Sequence, residues 1–187
     1  MKRMVLLFLL LINLSQGAAR EVAGISVPEV IQRDSDNAQL VLNGAGVREK
    51  FFFDIYIATL YLEQKSDLAS AVLENNSSAR VEMRMLYSEV EREKLIQSWN
   101  DGFSANLTSE QSSQLRERLD LFNNQFETLY KGDLVELDYF PGEGTRVRIN
   151  GNDKATIPGY DFFQALLKIW IGSEPVTQSL KRDLLGQ

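Results

Sequence analysis

Hydrophobic and polar positions are patterned most sharply between Leu40 and Glu63, LVLNGAGVREKFFFDIYIATLYLE. A short apolar run, Leu40-Val41-Leu42, precedes a long one, Phe51 to Leu62, rich in the aromatic and β-branched residues that suit a pleated surface. Between them lie Gly44-Ala45-Gly46 and then Arg48-Glu49-Lys50. Glycine marks a chain reversal or a close backbone approach. The pattern predicts two antiparallel strands joined at a charged tip. In the second strand Phe51, Phe53, Ile55 and Ile57 share one face, and Phe52, Tyr56, Ala58 and Leu60 the other, so it is predicted to be central and covered on both sides. Only Asp54 and the Tyr56 hydroxyl break the apolar pattern, both on the Phe52 side.

The rest of the chain reads as short strands and helices in alternation. Val22 to Ile31 contains Pro28 and is predicted to be an edge or bent strand, followed by a polar turn over residues 33–37. Ser66 is expected to cap a short helix carrying Leu68, Ala69, Val72 and Leu73. Residues 79–87 alternate as a half-exposed strand, with Val81, Met83, Met85 and Tyr87 inward. Ser88 and Glu91 read as a capping box for a helix with Leu95, Ile96, Trp99 and Phe103 inward, frayed at Gly102 and Asn106. Thr108 or Ser109 starts another helix, carrying Leu115, Leu119, Phe122 and Phe126. Strands are predicted over residues 134–140, 145–149 and 154–157, linked by Pro141-Gly142-Glu143-Gly144 and by the hairpin signal Asn150-Gly151. Tyr160 to Ile171 is a helix closed by Gly172, and Pro175 is expected to open a last one with Val176, Leu180, Leu184 and Leu185 inward. The sum is one α+β domain, a meandering antiparallel sheet with helices grouped between its strands.

Composition narrows the chemistry. The 187 residues contain neither His nor Cys, which removes His-based triads, thiol nucleophiles, disulfides and the usual zinc sites. A metal site or a cofactor is therefore not expected. The net charge of −6 argues against a nucleic-acid surface. Lys2 and Arg3, an apolar run from Met4 to Ile12, and the small residues of Ser15-Gln16-Gly17-Ala18-Ala19 have the form of a secretory signal peptide over residues 1–19, with cleavage after Gly17 or Ala19. The mature domain is then residues 20–187, periplasmic if the source is Gram-negative, with no stable membrane span.

Arg48 and Tyr56 are the candidate ligand-binding pair. A guanidinium can grip a carboxylate or enolate oxygen bidentately, and a phenol can add a third donor. The plainer alternative pairs Arg48 with Glu49 or Asp54 and leaves Tyr56 in the core. Glu136 and Asp138 are spaced as a carboxylate pair, but on what reads as a surface hairpin. Glu89, Glu91 and Glu93 read as a solvated helix start.

The ordered set of NGAGVREK, DIYIATLYLE, Lys131-Gly132-Asp133, Tyr139 to Thr145, and the run from Phe162 through Trp170-Ile171-Gly172 to Leu184-Leu185-Gly186 resembles the chalcone isomerase-like family, in its secreted bacterial branch. The resemblance implies an open-faced β-sandwich, an antiparallel sheet layered with helices over a cleft. In the plant isomerases the Arg of this segment contacts the cleft, and a Thr on the next strand orders a water beside the substrate ketone. In related fatty-acid-binding members that Thr is a Tyr, and Arg and Tyr hold the carboxylate. By this resemblance Arg48 and Tyr56 are the ligand-binding pair, Tyr87 matches a later cleft Tyr, and Thr177 matches a cleft Thr or Ser near the C-terminus. Tyr in place of Thr argues against isomerase chemistry. Non-catalytic binding of a small amphipathic ligand, a fatty acid or a flavonoid-like molecule, is the expectation. An intramolecular lyase using Arg48 with Tyr56 or Tyr87 is the alternative, and an accessory protein whose cleft is closed by side chains is the third.

Overall fold

The computed structural model describes residues 18–33 and 35–187. The expected signal peptide as far as Gly17, and Asp34 of the expected polar turn, lie outside the described residues. The first strands, β1 (Ala19–Val22) and β2 (Ile25–Pro28), form a hairpin turned by Ala23 and Gly24, both at positive φ. After them come β3 (Val30–Arg33), β4 (Ala38–Lys50), β5 (Phe53–Leu62), α1 (Ala69–Glu74), β6 (Ala79–Met85), β7 (Glu89–Val90), α2 (Arg92–Asn106) and α3 (Ser109–Asn123). The chain continues as β8 (Leu129–Tyr130), β9 (Leu134–Phe140), β10 (Gly144–Ile149), β11 (Asn152–Ile157), α4 (Tyr160–Ile171) and α5 (Gln178–Leu184). Seven strands make one antiparallel sheet in the order β11-β10-β9-β6-β5-β4-β3. The expected α+β class and antiparallel sheet are therefore what the chain forms.

Strand periodicity divides the sheet into two faces. Tyr56, Ala58, Leu60, Val81, Met83, Val135, Leu137 and Val147 point to the helices and build the main core with Trp99, Phe122, Phe162, Leu166 and Trp170. Helix α4 is the anchor of that layer: Phe162, Phe163, Leu166, Leu167 and Trp170 are all buried, each contributing roughly 1.5–3 kcal/mol. On the other face Leu40, Leu42 and Tyr61 meet Val27 beneath the β1–β2 hairpin, and the Tyr61 hydroxyl donates to Pro28 O at 2.9 Å.

Several sequence expectations give way here. Gly44 and Gly46 are not the chain reversal; they lie inside β4, which runs on to Lys50. A Cβ at Gly44 would strike the backbone oxygens of Asp183 and Leu184, so these glycines mark the close approach of α5 instead. Asn43, the residue at the β4 bulge, fixes that approach by donating to Leu184 O at 2.7 Å and Ser66 O at 3.0 Å. The reversal is at Phe51 and Phe52, whose side chains are exposed rather than central. The β6 strand is not half-exposed, because Arg80 on its second face is buried under ion pairs. Ser88 caps nothing: Glu89 and Val90 pair with β8, and α2 starts at Arg92 with no side-chain cap. Gly102 does not fray α2 but gives room for Ile169 of α4. Helix α5 begins at Gln178, three residues after Pro175, with Thr177 as cap. Ser66 bonds Leu68 N, while α1 itself is capped by Leu68 without a side-chain bond. The Asn150-Gly151 turn forms as read, both residues at positive φ.

Candidate functional site

The site is built by the β4–β5 hairpin. Arg48 pairs with Tyr56 and Glu49 with Asp54, so Ile55 is left over as a bulge. A bulge re-aims a side chain. Ile55 accordingly packs against the helix-side core, and its carbonyl accepts from the N–H groups of both Leu86 and Tyr87, at 2.9 and 3.1 Å. This draws Tyr87 over the hairpin, where its ring meets Phe53 edge-on, centroids 5.4 Å apart. Register then sorts the tip by charge. Arg48, Lys50 and Phe53 share the helix-side face with Tyr56, and Glu49 and Asp54 share the other.

Tyr56 lies within the core, 8% exposed. Its hydroxyl accepts from Trp170 Nε1 at 3.0 Å and keeps its own proton to donate. Burial pushes the phenol above its ordinary range, while the Trp170 bond and the Arg48 charge pull it down. The phenol is therefore a neutral donor at physiological pH. Arg48 is half-buried and bonds the carbonyl of Glu49. Among the described residues no carboxylate lies within ion-pair distance of it, so the pairing with the Glu49 or Asp54 side chain does not form.

A cleft of about 330 Å³ opens beside this face. Its walls are Phe51, Phe53 and Ile55 of the hairpin, Tyr87, Val90, and Ser98 on α2, with Lys50, Glu89 and Lys94 at polar positions. That volume is at the small end of ligand pockets, roughly 300–1,000 Å³. Deeper in, the space between sheet and helices is filled: Trp99 packs on Phe122, Phe126 and Trp170 with centroids 5.3–5.9 Å apart. The Trp99 indole N–H meets no acceptor among the described residues. The open volume is thus at the hairpin end of the core, not along its length.

Of the residues singled out in the sequence, Tyr87 lines the cleft, whereas Arg48 and Tyr56 stand side by side across the strand pair next to it and are not in its wall. Thr177 is the cap of α5, its hydroxyl accepting from Leu180 N at 3.4 Å, and it is not among the residues lining this cleft. Lys50, Lys94 and Ile55 were missed. The first two read as solvated charges, and only the bulge reveals the third. Glu136 and Asp138 are buried, not surface carboxylates. Arg80 grips Asp138 at 2.7 and 2.9 Å and Glu136 at 3.0 Å, and Arg33 adds a contact to Asp138 at 3.4 Å. Buried and ion-paired with Arg80, these carboxylates serve the sheet interior rather than glycoside chemistry.

No curated protein compared with the chain matches it. Among solved structures, the crystal structure of an Arabidopsis thaliana fatty-acid binding protein superposes with a TM-score of 0.62. That match covers 87% of this chain and 92% of the plant one, at 21% identity, and establishes a shared fold. The family described as chalcone isomerase-like matches residues 19–186, from the first strand to the last helix. With the antiparallel sheet, the helix layer and the cleft at the hairpin end in place, the chain belongs to the chalcone isomerase-like family.

Proposed function

We propose that this protein binds a small amphipathic anion, a fatty acid being the best fit, without catalysing a reaction on it. The observation that carries this is Arg48: a half-buried guanidinium with no carboxylate in ion-pair range among the described residues, paired across the strands with a neutral phenol, on the same hairpin face as Lys50 and Phe53 of the cleft wall. A ligand carboxylate would accept from Arg48 and from the Tyr56 hydroxyl. The apolar tail would lie against Phe53, Ile55, Tyr87 and Val90. A charge-assisted bond of this kind contributes about 1.5–3 kcal/mol, and each buried CH₂ about 0.8 kcal/mol. The fatty-acid binding protein of the same fold supports this choice of ligand. By the resemblance, Tyr56 takes the place of the isomerases' water-ordering Thr, and a Tyr hydroxyl already held by Trp170 is a positioned donor rather than a mobile acid.

Titration with a long-chain fatty acid tests this. Arg48→Ala should weaken binding about tenfold or more, from loss of the charge-assisted bond. Its far-ultraviolet circular dichroism should stay the same. Equal affinity in the variant removes Arg48 from the site.

We further propose that the protein matures by removal of its leader and works in the periplasm. The basic start and apolar run of residues 2–12 support this.

A further inference from the structure

The turn between β4 and β5 presents three consecutive phenylalanines to solvent: Phe51 is 84% exposed, Phe52 99% and Phe53 54%. Isolated exposed apolar residues are ordinary, but a contiguous aromatic patch marks a contact surface. Phe51 also adopts φ +60. A turn position with positive φ suits Gly or Asn, and a bulky side chain there is strained. The Phe51 ring returns little packing for that strain within the chain.

We infer that this tip docks into the interface of an anionic lipid bilayer. The tip is convex and only two residues wide at its apex, so it offers no groove or flat face to a folded partner. A bilayer interface accepts aromatic rings one by one, without shape matching. Charge supports the same occupant. Lys50 lies beside Phe53 at the tip and makes no ion pair with a carboxylate among the described residues, while Glu49 and Asp54 point the other way. Lys94 stands across the cleft, on an exposed ion pair with Glu91 at 3.1 Å. Basic groups beside buried rings meet lipid phosphates, and each adds to adsorption on an anionic surface. Phe51 and Phe53 belong both to the tip and to the cleft wall, so the docked protein holds the cleft mouth at the headgroup level. The docking itself does not depend on what occupies the cleft.

Vesicle flotation tests this with the full mature chain. Vesicles of phosphatidylethanolamine with phosphatidylglycerol should carry the wild-type protein upward. Phe52→Glu, which touches neither core nor cleft, should reduce the bound fraction about tenfold, with unchanged thermal unfolding and unchanged fatty-acid affinity in solution. Phe52→Trp should retain flotation, shift its emission to the blue on vesicles and be quenched by brominated lipid. The inference is overturned if the wild type stays at the bottom of the gradient, or if Phe52→Glu floats as well as the wild type. Added fluorescence that ignores vesicles would overturn it too, as would a wild-type dimer that Phe52→Glu splits and that binds no vesicles. Loss of fatty-acid binding with flotation intact would instead count against the ligand reading alone.

Discussion

Tyr56 shows how a residue's role follows from its two neighbours. Its hydroxyl is the acceptor for the buried Trp170 indole, 3.0 Å away. Tyr56→Phe should therefore cost stability as well as ligand affinity, because it leaves a buried donor unsatisfied, about 1–3 kcal/mol by chemical denaturation. An unchanged denaturation midpoint would mean the Trp170 bond is dispensable. Gly44 makes a different demand. Its missing Cβ is space taken by the end of α5, so Gly44→Ala should destabilise by roughly 1–3 kcal/mol or more, the usual range for overpacking. Ala at Gly24, where a Cβ meets nothing within 4 Å, should cost less, only the strain of a positive φ. Tyr87, which lines the cleft, was nameable from the chain through the resemblance, as were Arg48 and Tyr56 beside it. Ile55 was not. Its turn toward the cleft comes from a bulge, and a one-residue slip in pairing has no signature in hydrophobic alternation.

At the level of elements, strand alternation was legible wherever one face is apolar. It misled where the second face is polar yet buried. On β6 and β9 the charged residues pair with each other across the sheet: Arg80 opposes Asp138, and Glu82 opposes Glu136. Arg33 reaches in from β3 and stacks over Phe140, 3.9 Å from the ring centre. Polar residues at period two look the same in sequence whether solvent or a partner satisfies them. Asp138→Ala would leave Arg33 and Arg80 buried without their shared carboxylate. We expect a loss of about 3–5 kcal/mol, measurable by urea unfolding. Glu82 carries a pH signature. Burial pushes its carboxyl above the usual range, with the Arg80 charge opposing and Glu136 adding. A carboxyl raised in the folded state favours its protonated form there. Glu82 therefore costs stability progressively as pH rises from the unfolded carboxylate value through the raised folded one, and the cost is constant above that. Glu82→Gln should flatten that slope and raise the urea midpoint at neutral pH more than at acid pH. A wild-type profile that rises over the same window, unaltered in the variant, would contradict this. Helix starts were the least legible elements. Thr108 with Gln111 forms its capping box, but Ser88 is diverted because Glu89 and Val90 find a strand partner.

At the scale of the whole molecule, one sheet separates two layers with different work. The helix layer carries the core and, at its hairpin end, the cleft. The thin outer layer, β1 with β2, covers Leu40, Leu42 and Tyr61. That layer bears on maturation. Ala18 O accepts from Glu29 N at 2.9 Å, and Ala19 pairs with Pro28. Cleavage after Gly17 preserves both contacts and cleavage after Ala19 removes them. Under the proposed maturation, a product that begins at Ala18 keeps the whole β1–β2 hairpin, and intact-mass measurement distinguishes it from one that begins at Arg20. Class and layering were legible from the chain because the apolar periods of two and of three to four alternate in a fixed order. Where the molecule stays open was not legible. The filling of the space beneath the sheet depends on how Trp99, Phe122, Phe126 and Trp170 interlock, which no local pattern encodes.

The proposed anion-holding role of Arg48 is tested most directly by comparing a medium-chain fatty acid with its methyl ester in parallel titrations of the wild type and Arg48→Ala. Esterification removes the charge and keeps the tail. The wild type should prefer the acid by roughly tenfold or more, the worth of a charge-assisted bond, and Arg48→Ala should bring the ratio close to one. A wild type that binds the ester as tightly as the acid, or a preference that survives Arg48→Ala, would contradict the assignment of the carboxylate to this guanidinium.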